Sequence, residues 1–216
     1  LELGGKSPQL FFEDANLENA LPFLVNAGIQ NGGQTCSASS RILVHRSRYA
    51  EVVDRMSKRY KELIVRPAIE DGALGPLISE RQKLIVEDFI SKGQNLNLVA
   101  QGEIDGNVPE NGHYVAPHLF ADVSDDHILA KDEIFGPVQV IMPFDTEEEA
   151  IKIANGTDYG LVASIWTNDG ARQMRLAKKL KSGQVFINNY GAGGGVELPF
   201  GGRGFSGHGR EKGFEA

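Results

Sequence analysis

The chain has 216 residues, 41% hydrophobic and 24% charged, enough to bury a sizeable core and typical of a soluble folded domain. A net charge of −7 argues against nucleic acid or an anionic membrane as the main partner, because both need a basic surface. One cysteine rules out an internal disulfide and no apolar run is long enough to span a membrane, so a reducing, cytoplasmic setting is expected.

After the opening LELGGKSP, the short apolar run Gln9–Phe12 predicts a buried strand. Asp14 or Asn16 can cap a helix whose apolar stripe runs through Leu17, Leu21, Leu24, Val25 and Gly28 and ends at Gly32 and Gly33. Arg41–His45 reads as a strand, followed by a helix capped by Ser47 with Val52, Met56 and Tyr60 on one side. Ser79 and Gln82 form the pattern of a capping box for a third helix closed by Gly93, and Leu96–Ala100 and Tyr114–Phe120 read as strands, the second weaker.

The last third is more regular. It predicts strand Val138–Phe144, a helix opened by Thr146 and Glu149 and ending at Ala154, strand Val162–Trp166, helix Ala171–Leu180 with Gly183 as its C-cap, and strand Gln184–Asn188. Alternating strands and helices are the grammar of a parallel sheet with crossover helices. The fold expected is a single α/β domain over residues 1–216 with a largely parallel open sheet.

Cys36 lies in NGGQTCSASS, where Gln, Thr, Ser and Gly surround it. A buried structural cysteine normally has aliphatic neighbours, so this setting favours an accessible thiol on a loop that follows a helix. Three further clusters combine glycine with glutamate: LELGGKS at 1–7, EIFGP at 133–137 and LPFGGRGFSGHGRE at 198–211. Glycine lets backbone approach a ligand closely while a carboxylate serves as base or acceptor. The five scattered histidines offer no convincing metal set with one cysteine; His113 and His118 are poorly spaced for it.

Together these motifs, in order and spacing, resemble those of the aldehyde dehydrogenase superfamily over essentially the whole chain. The resemblance implies a catalytic-domain fold and oxidation of an aldehyde to a carboxylic acid with NAD or NADP. Cys36 matches the nucleophile that forms a thiohemiacetal and then a thioester. Glu2 matches the base that activates water for hydrolysis, which favours a free acid over acyl transfer to coenzyme A. Glu133 matches the acceptor for the nicotinamide ribose, Phe135 the aromatic beside the nicotinamide, and Gly4 belongs to the same cofactor-contact region; Glu211 resembles a second carboxylate that assists proton movement.

The sequence departs from the family pattern in two places. No counterpart of the amino-terminal cofactor-binding part is present, and Gly191–Gly195 does not fill G-x-G-x-x-G because Val196 stands in place of the last glycine; this run reads as a loop. Gly204 stands where the family often has lysine. In family terms the chain is a catalytic segment of a longer protein, inactive alone and prone to associate, with the cofactor-binding part and the carboxy-terminal pairing strand elsewhere. The implied partners are a small aldehyde and a second copy in a homodimer or homotetramer. A cofactor-independent thiol esterase and a non-catalytic binding module are the competing readings.

Overall fold

The computed structural model describes residues 1–191 and 195–214. Its strands are β1 (Pro8–Phe11), β2 (Arg41–His45), β3 (Ile64–Val65), β4 (Asn97–Gln101), β5 (Glu103–Ile104), β6 (His118–Ala121), β7 (Val138–Phe144), β8 (Val162–Trp166) and β9 (Gln184–Ile187). The helices are α1 (Leu17–Ile29), α2 (Tyr49–Lys61), α3 (Glu80–Lys92), α4 (Ile128–Lys131), α5 (Glu147–Ala154) and α6 (Gly170–Lys179).

Seven strands form one sheet in the order β4-β6-β7-β2-β1-β8-β9, and β3 pairs with β5 in a small separate ladder. Every pairing in the large sheet is parallel except β4 with β6 at the edge. This is the expected α/β fold with a largely parallel sheet. Both faces are buried, so the central strands are largely apolar instead of alternating, with Gln9, Arg41, Gln139 and Ser164 as buried polar exceptions. Leu10, Leu43, Met142 and Ile165 share one face and pack under α5 and α6, whereas Phe11, Val44, Ile141 and Trp166 share the other with α1 and α2.

Local chemistry accounts for most element ends. The side chains of Asn16, Ser79, Thr146 and Asp169 each accept a backbone N–H in the first turn of the helix that follows. Two expectations are corrected. Ser47 does not cap α2: residues 46–48 form a 3-10 turn in which the His45 ring accepts from the Ser47 N–H. Gly183 does not cap α6, which ends at Leu180; a Cβ at Gly183 would lie 1.6 Å from the Gly201 carbonyl oxygen, so glycine is needed for a close crossing. Tyr114–Phe120 pairs only from His118 onward, because Pro117 has no N–H to give a ladder. Of the Gly191–Gly195 run, residues 192–194 lie outside the described residues.

Among the described residues no helix is long and apolar enough to cross a membrane.

Candidate active site

Because β7, β2, β1 and β8 are adjacent and parallel, the segments entering them converge on one edge of the sheet. Those segments carry Glu133, Cys36, the Glu2–Ser7 motif and Tyr159 respectively. Three motifs separated by up to 131 positions in sequence therefore meet at the amino edge. Open parallel sheets more often bind ligands at the carboxyl ends of their strands. Here the carboxyl end between β1 and β8 is filled by the protein itself: Asp14 accepts from the Thr167 hydroxyl at 2.7 Å, from the backbone of Asn168 at 2.8 Å and Asp169 at 3.0 Å, and from Arg172 at 3.2 Å.

Three glycines let the motifs touch. A Cβ at Gly5 would lie 2.4 Å from the Cys36 carbonyl oxygen, one at Gly4 would lie 2.1 Å from Glu133 Oε2, and one at Gly33 would lie 2.2 Å from the Gly136 carbonyl oxygen. Gly33 also needs its freedom for a φ of +74° in the left-handed run Asn31–Gly33 that ends the helical segment. The Gly5 N–H donates to Glu133 Oε1 at 2.9 Å, which fixes the EIFGP carboxylate on the LELGGKS backbone.

The Cys36 loop is bound down on every side. Ala38 N–H donates to Thr35 O and Ser39 N–H to Ala27 O, both at 2.9 Å. The fully buried Gln139 side chain donates to the carbonyls of Leu24 and Ser39 and accepts from Tyr60. The thiol itself is half-buried. Burial, followed by the neighbouring Glu2 carboxylate, pushes the thiol up to about 12; the Ser37 N–H acts in the opposite direction, and the Glu133 charge adds to the rise.

Glu133 is raised above the usual carboxylate range by burial, with the Gly5 N–H and the Lys6 charge opposing and Glu2 adding. Phe135 sits at a φ of +54° with its ring partly exposed, and Gln82 on α3 donates to the carbonyls of Ile134 at 3.2 Å and Phe135 at 3.0 Å. Glu133 and Gly4 line an open cleft of about 690 Å³ with Leu3, Tyr159, Phe205 and His208. On the other side of the loop, a cavity of about 500 Å³ is bordered by Phe23, Gln30, Asn31, Thr35, Ser37 and Tyr190.

Of the residues expected from sequence, Cys36, Glu2, Glu133, Gly4 and Phe135 come together at this edge. Glu211 is paired through its backbone, both ways at 2.8 Å, with Phe200, which packs in the same cluster as Cys36, and its side chain is exposed. The Glu2 segment is itself clamped by the carboxy-terminal motif, with Leu3 N–H donating to Ser206 O and His208 N–H to Leu1 O. Among the described residues no group of three or more His, Cys, Asp or Glu is placed to hold a metal.

Sequence reasoning missed Lys6, Arg41, Gln82 and Tyr190. Lys6 and Arg41 are each 2% exposed; Arg41 donates to the carbonyls of Lys6, Ile153 and Ala154 at 2.7 to 2.8 Å. The one signal available was a basic residue at the start of an otherwise apolar strand.

The profile of the aldehyde dehydrogenase family matches residues 1–216. The chain belongs to that family. The Bacillus subtilis protein DhaS is 41% identical over 215 residues, covering 99% of this chain and 43% of DhaS. A crystal structure from Burkholderia cenocepacia superposes with a TM-score of 0.98 at 58% identity, over all of this chain and 46% of that one. A variant of aldehyde dehydrogenase C from Pseudomonas syringae, solved with NAD+ and octanal, gives a TM-score of 0.91 at 37% identity, over 99% of this chain and 44% of that one. The present chain therefore spans less than half the length of these aldehyde dehydrogenase relatives.

Proposed function

We propose that this chain is the thiol-bearing catalytic part of an NAD(P)-dependent aldehyde dehydrogenase that converts a small aldehyde to its carboxylic acid. The observation that carries the reading is the convergence of the Glu2, Cys36 and Glu133 segments at one sheet edge, where Gly5 packs on the Cys36 carbonyl and donates to Glu133.

Cys36 Sγ adds to the aldehyde carbon, forming a C–S bond as the thiol proton leaves through the adjacent Glu2 carboxylate to water, which returns Glu2 to its ionised form. The Cys36 backbone N–H stabilises the oxyanion that develops, an interaction worth about 2.7–4 kcal/mol in comparable sites. Bound NAD(P) supplies the hydride acceptor. The acyl group then remains on Cys36 as a thioester. Glu2 takes a proton from a water molecule that attacks the acyl carbon; the C–S bond breaks, the acid departs and the sulfur regains its proton.

The residues present fit the nicotinamide half of the cofactor. One Glu133 oxygen accepts from Gly5, which fixes the carboxylate and leaves acceptor capacity for sugar hydroxyls, and the partly exposed Phe135 ring offers an apolar face. Among the described residues the cavity beside Cys36 has no charged side chain in its wall, and Gln30, Asn31, Thr35 and Ser37 make the approach polar, which suits a small uncharged aldehyde. The likeness to an enzyme solved with NAD+ and octanal supports the same cofactor and substrate class. The thiol-esterase alternative gains no support from His45, the histidine nearest Cys36 in sequence: it lies at the carboxyl end of β2, the opposite edge from Cys36, and its ring bonds Ser47.

The test is a panel of aldehydes with NAD and NADP on the full-length protein and its Cys36→Ser variant. Aldehyde-dependent reduction of the cofactor by the parent, and its loss in a folded variant, is the expected result. Wild-type oxidation by Cys36→Ser overturns the proposal, and ester cleavage without aldehyde oxidation favours the esterase. In solution the full-length enzyme is expected to be a homodimer or homotetramer, measurable by light scattering.

A further inference from the structure

We propose that Tyr190 is the positioning residue for the Cys36 loop, its phenol clamping the Ser37 carbonyl and thereby setting the orientation of the neighbouring thiol. The inference rests on the reading of Cys36 as nucleophile.

The chain brings Tyr190 to the loop by a reversal after β9. Asn188 adopts a φ of +50°, and its side chain bonds both the N–H and the carbonyl of Thr167, each at 3.0 Å. The Ser164 hydroxyl then donates to Asn189 O at 2.7 Å, which lays the returning chain along β8. Tyr190 packs with Leu161, Val162 and Phe200, and its hydroxyl donates to Ser37 O, a residue 153 positions away.

Ser37 is the pivotal position for such a clamp. Its N–H faces the Cys36 sulfur and favours the thiolate, while its carbonyl is the atom Tyr190 holds. The N–H and the carbonyl lie in successive peptide units, so holding the carbonyl in a loop already tied at Ala38 and Ser39 limits how far the N–H can turn from the nucleophile. Burial raises the phenol well above its ordinary range, so the group stays protonated and remains a donor at any pH at which the enzyme would work.

The hydroxyls of Ser7 and Ser39 face the Tyr190 oxygen, both residues are at least 98% buried, and neither hydroxyl has a hydrogen-bond partner at ordinary distance among the described residues. Among the described residues the phenol is the one hydrogen-bond donor to the Ser37 carbonyl, and its loss would leave a buried acceptor unpaired. The same ring borders the 500 Å³ cavity together with Gly191, so a molecule bound in that cavity touches the clamp directly.

The experiment uses the full-length enzyme with Tyr190→Phe, which keeps the ring and removes the donor, and Tyr190→His, which keeps a ring N–H. For Tyr190→Phe the expected result is a loss in kcat of about 10- to 100-fold with cofactor KM within about twofold. The pH midpoint of Cys36 alkylation should shift upward, because the Ser37 N–H is no longer aimed at the sulfur. Tyr190→His should recover part of the rate. Unchanged kcat and alkylation profile in a folded Tyr190→Phe overturn the proposal; so does an equal loss in both variants, and if only Tyr190→His folds, a parent-like alkylation profile in it supports the clamp whereas a profile shifted as far as expected for Phe overturns it. Retained oxidation by Cys36→Ser in the same protein would instead defeat the underlying reading of the nucleophile.

Discussion

The Glu2 carboxylate neighbours the Cys36 thiol and adds to the effect of burial on the state of the sulfur. Burial and this carboxylate act in the same direction, holding the proton on sulfur and raising the thiol to about 12. An ordinary cysteine titrates near ~8.5, so this thiol resists simple alkylation until a substrate or a proton acceptor changes its surroundings. Glu2→Gln removes the charge but keeps the shape. The alkylation midpoint should move down, and the rate of iodoacetamide labelling near about pH 8 should rise several-fold. Hydrolysis of the acyl-enzyme should fall in the same variant, seen as a burst of reduced cofactor followed by slow turnover. A labelling profile identical to the parent would show that the carboxylate does not bear on the sulfur.

Gly4 and Gly5 are neighbours with different obligations, and alanine should separate them. At Gly4 the added methyl meets the end of the Glu133 side chain, which can swing away; at Gly5 it meets the Cys36 backbone carbonyl, which cannot move without dragging the loop. Gly4→Ala should therefore leave stability near that of the parent and weaken cofactor binding through a displaced Glu133. Gly5→Ala should cost about 1–3 kcal/mol of stability and most of the activity. Urea unfolding of the variants together with cofactor titration of the full-length enzyme measures both.

The fold was legible where the chain is apolar without interruption. Val138–Phe144, Val162–Trp166 and Arg41–His45 became strands with the expected bounds, because strands buried on both faces are mostly apolar and their buried polar residues, Gln139, Ser164 and Arg41, have hydrogen-bond partners. The convergence of Glu2, Cys36 and Glu133 followed from the motifs together, since each precedes a strand and the strands are parallel neighbours. What stayed hidden depends on contacts between distant residues. Nothing local marks Gln82 as the donor to Ile134 and Phe135, Tyr190 as the partner of Ser37, or Gly183 as the place where Gly201 crosses. Ser47 carried a good cap signature, but the His45 ring took its N–H and wound the chain into a 3-10 turn first. Asn155-Gly156-Thr157, with the form of a glycosylation acceptor, is used internally: the Asn155 side chain bonds Lys179 O and Lys181 N–H.

Lys6 gives a prediction of opposite character, about pH and stability. Its ammonium is buried with no hydrogen-bond partner among the described residues. Burial first, and then Arg41, lower its pKa from 10.5 to about 7, against the opposing charges of Glu133 and Asp132. Between those two values the unfolded chain binds a proton that the folded chain does not. Stability should therefore rise as pH increases from about 7 to about 10.5 and gain nothing from this residue below about 7. Lys6→Met should remove that slope and raise stability at neutral pH by about 1–4 kcal/mol, as replacement of buried charge often does. Unfolding midpoints at several pH values decide it, and a slope that survives the substitution would assign it to another group.

The last prediction separates the cofactor side of the site from the thiol side. Phe135 occupies left-handed backbone that a bulky residue adopts only when its surroundings enforce it. Enforcement here comes from Gln82, whose amide nitrogen bridges the carbonyls on both sides of the Ile134–Phe135 junction from the first turn of α3. Gln82→Ala leaves the helix cap intact, because Ser79 accepts from the Gln82 backbone N–H and not from its side chain. The loop should then relax and carry Phe135 and Glu133 with it, while the Cys36 loop, tied instead to α1, Gln139 and Tyr190, stays in place. In the full-length enzyme the expected outcome is a rise in cofactor KM of about 5- to 30-fold, corresponding to about 1–2 kcal/mol, with the pH profile of Cys36 alkylation unchanged. A parallel shift in the alkylation profile would mean that the two sides of the site move as one body through the Gly33–Gly136 contact.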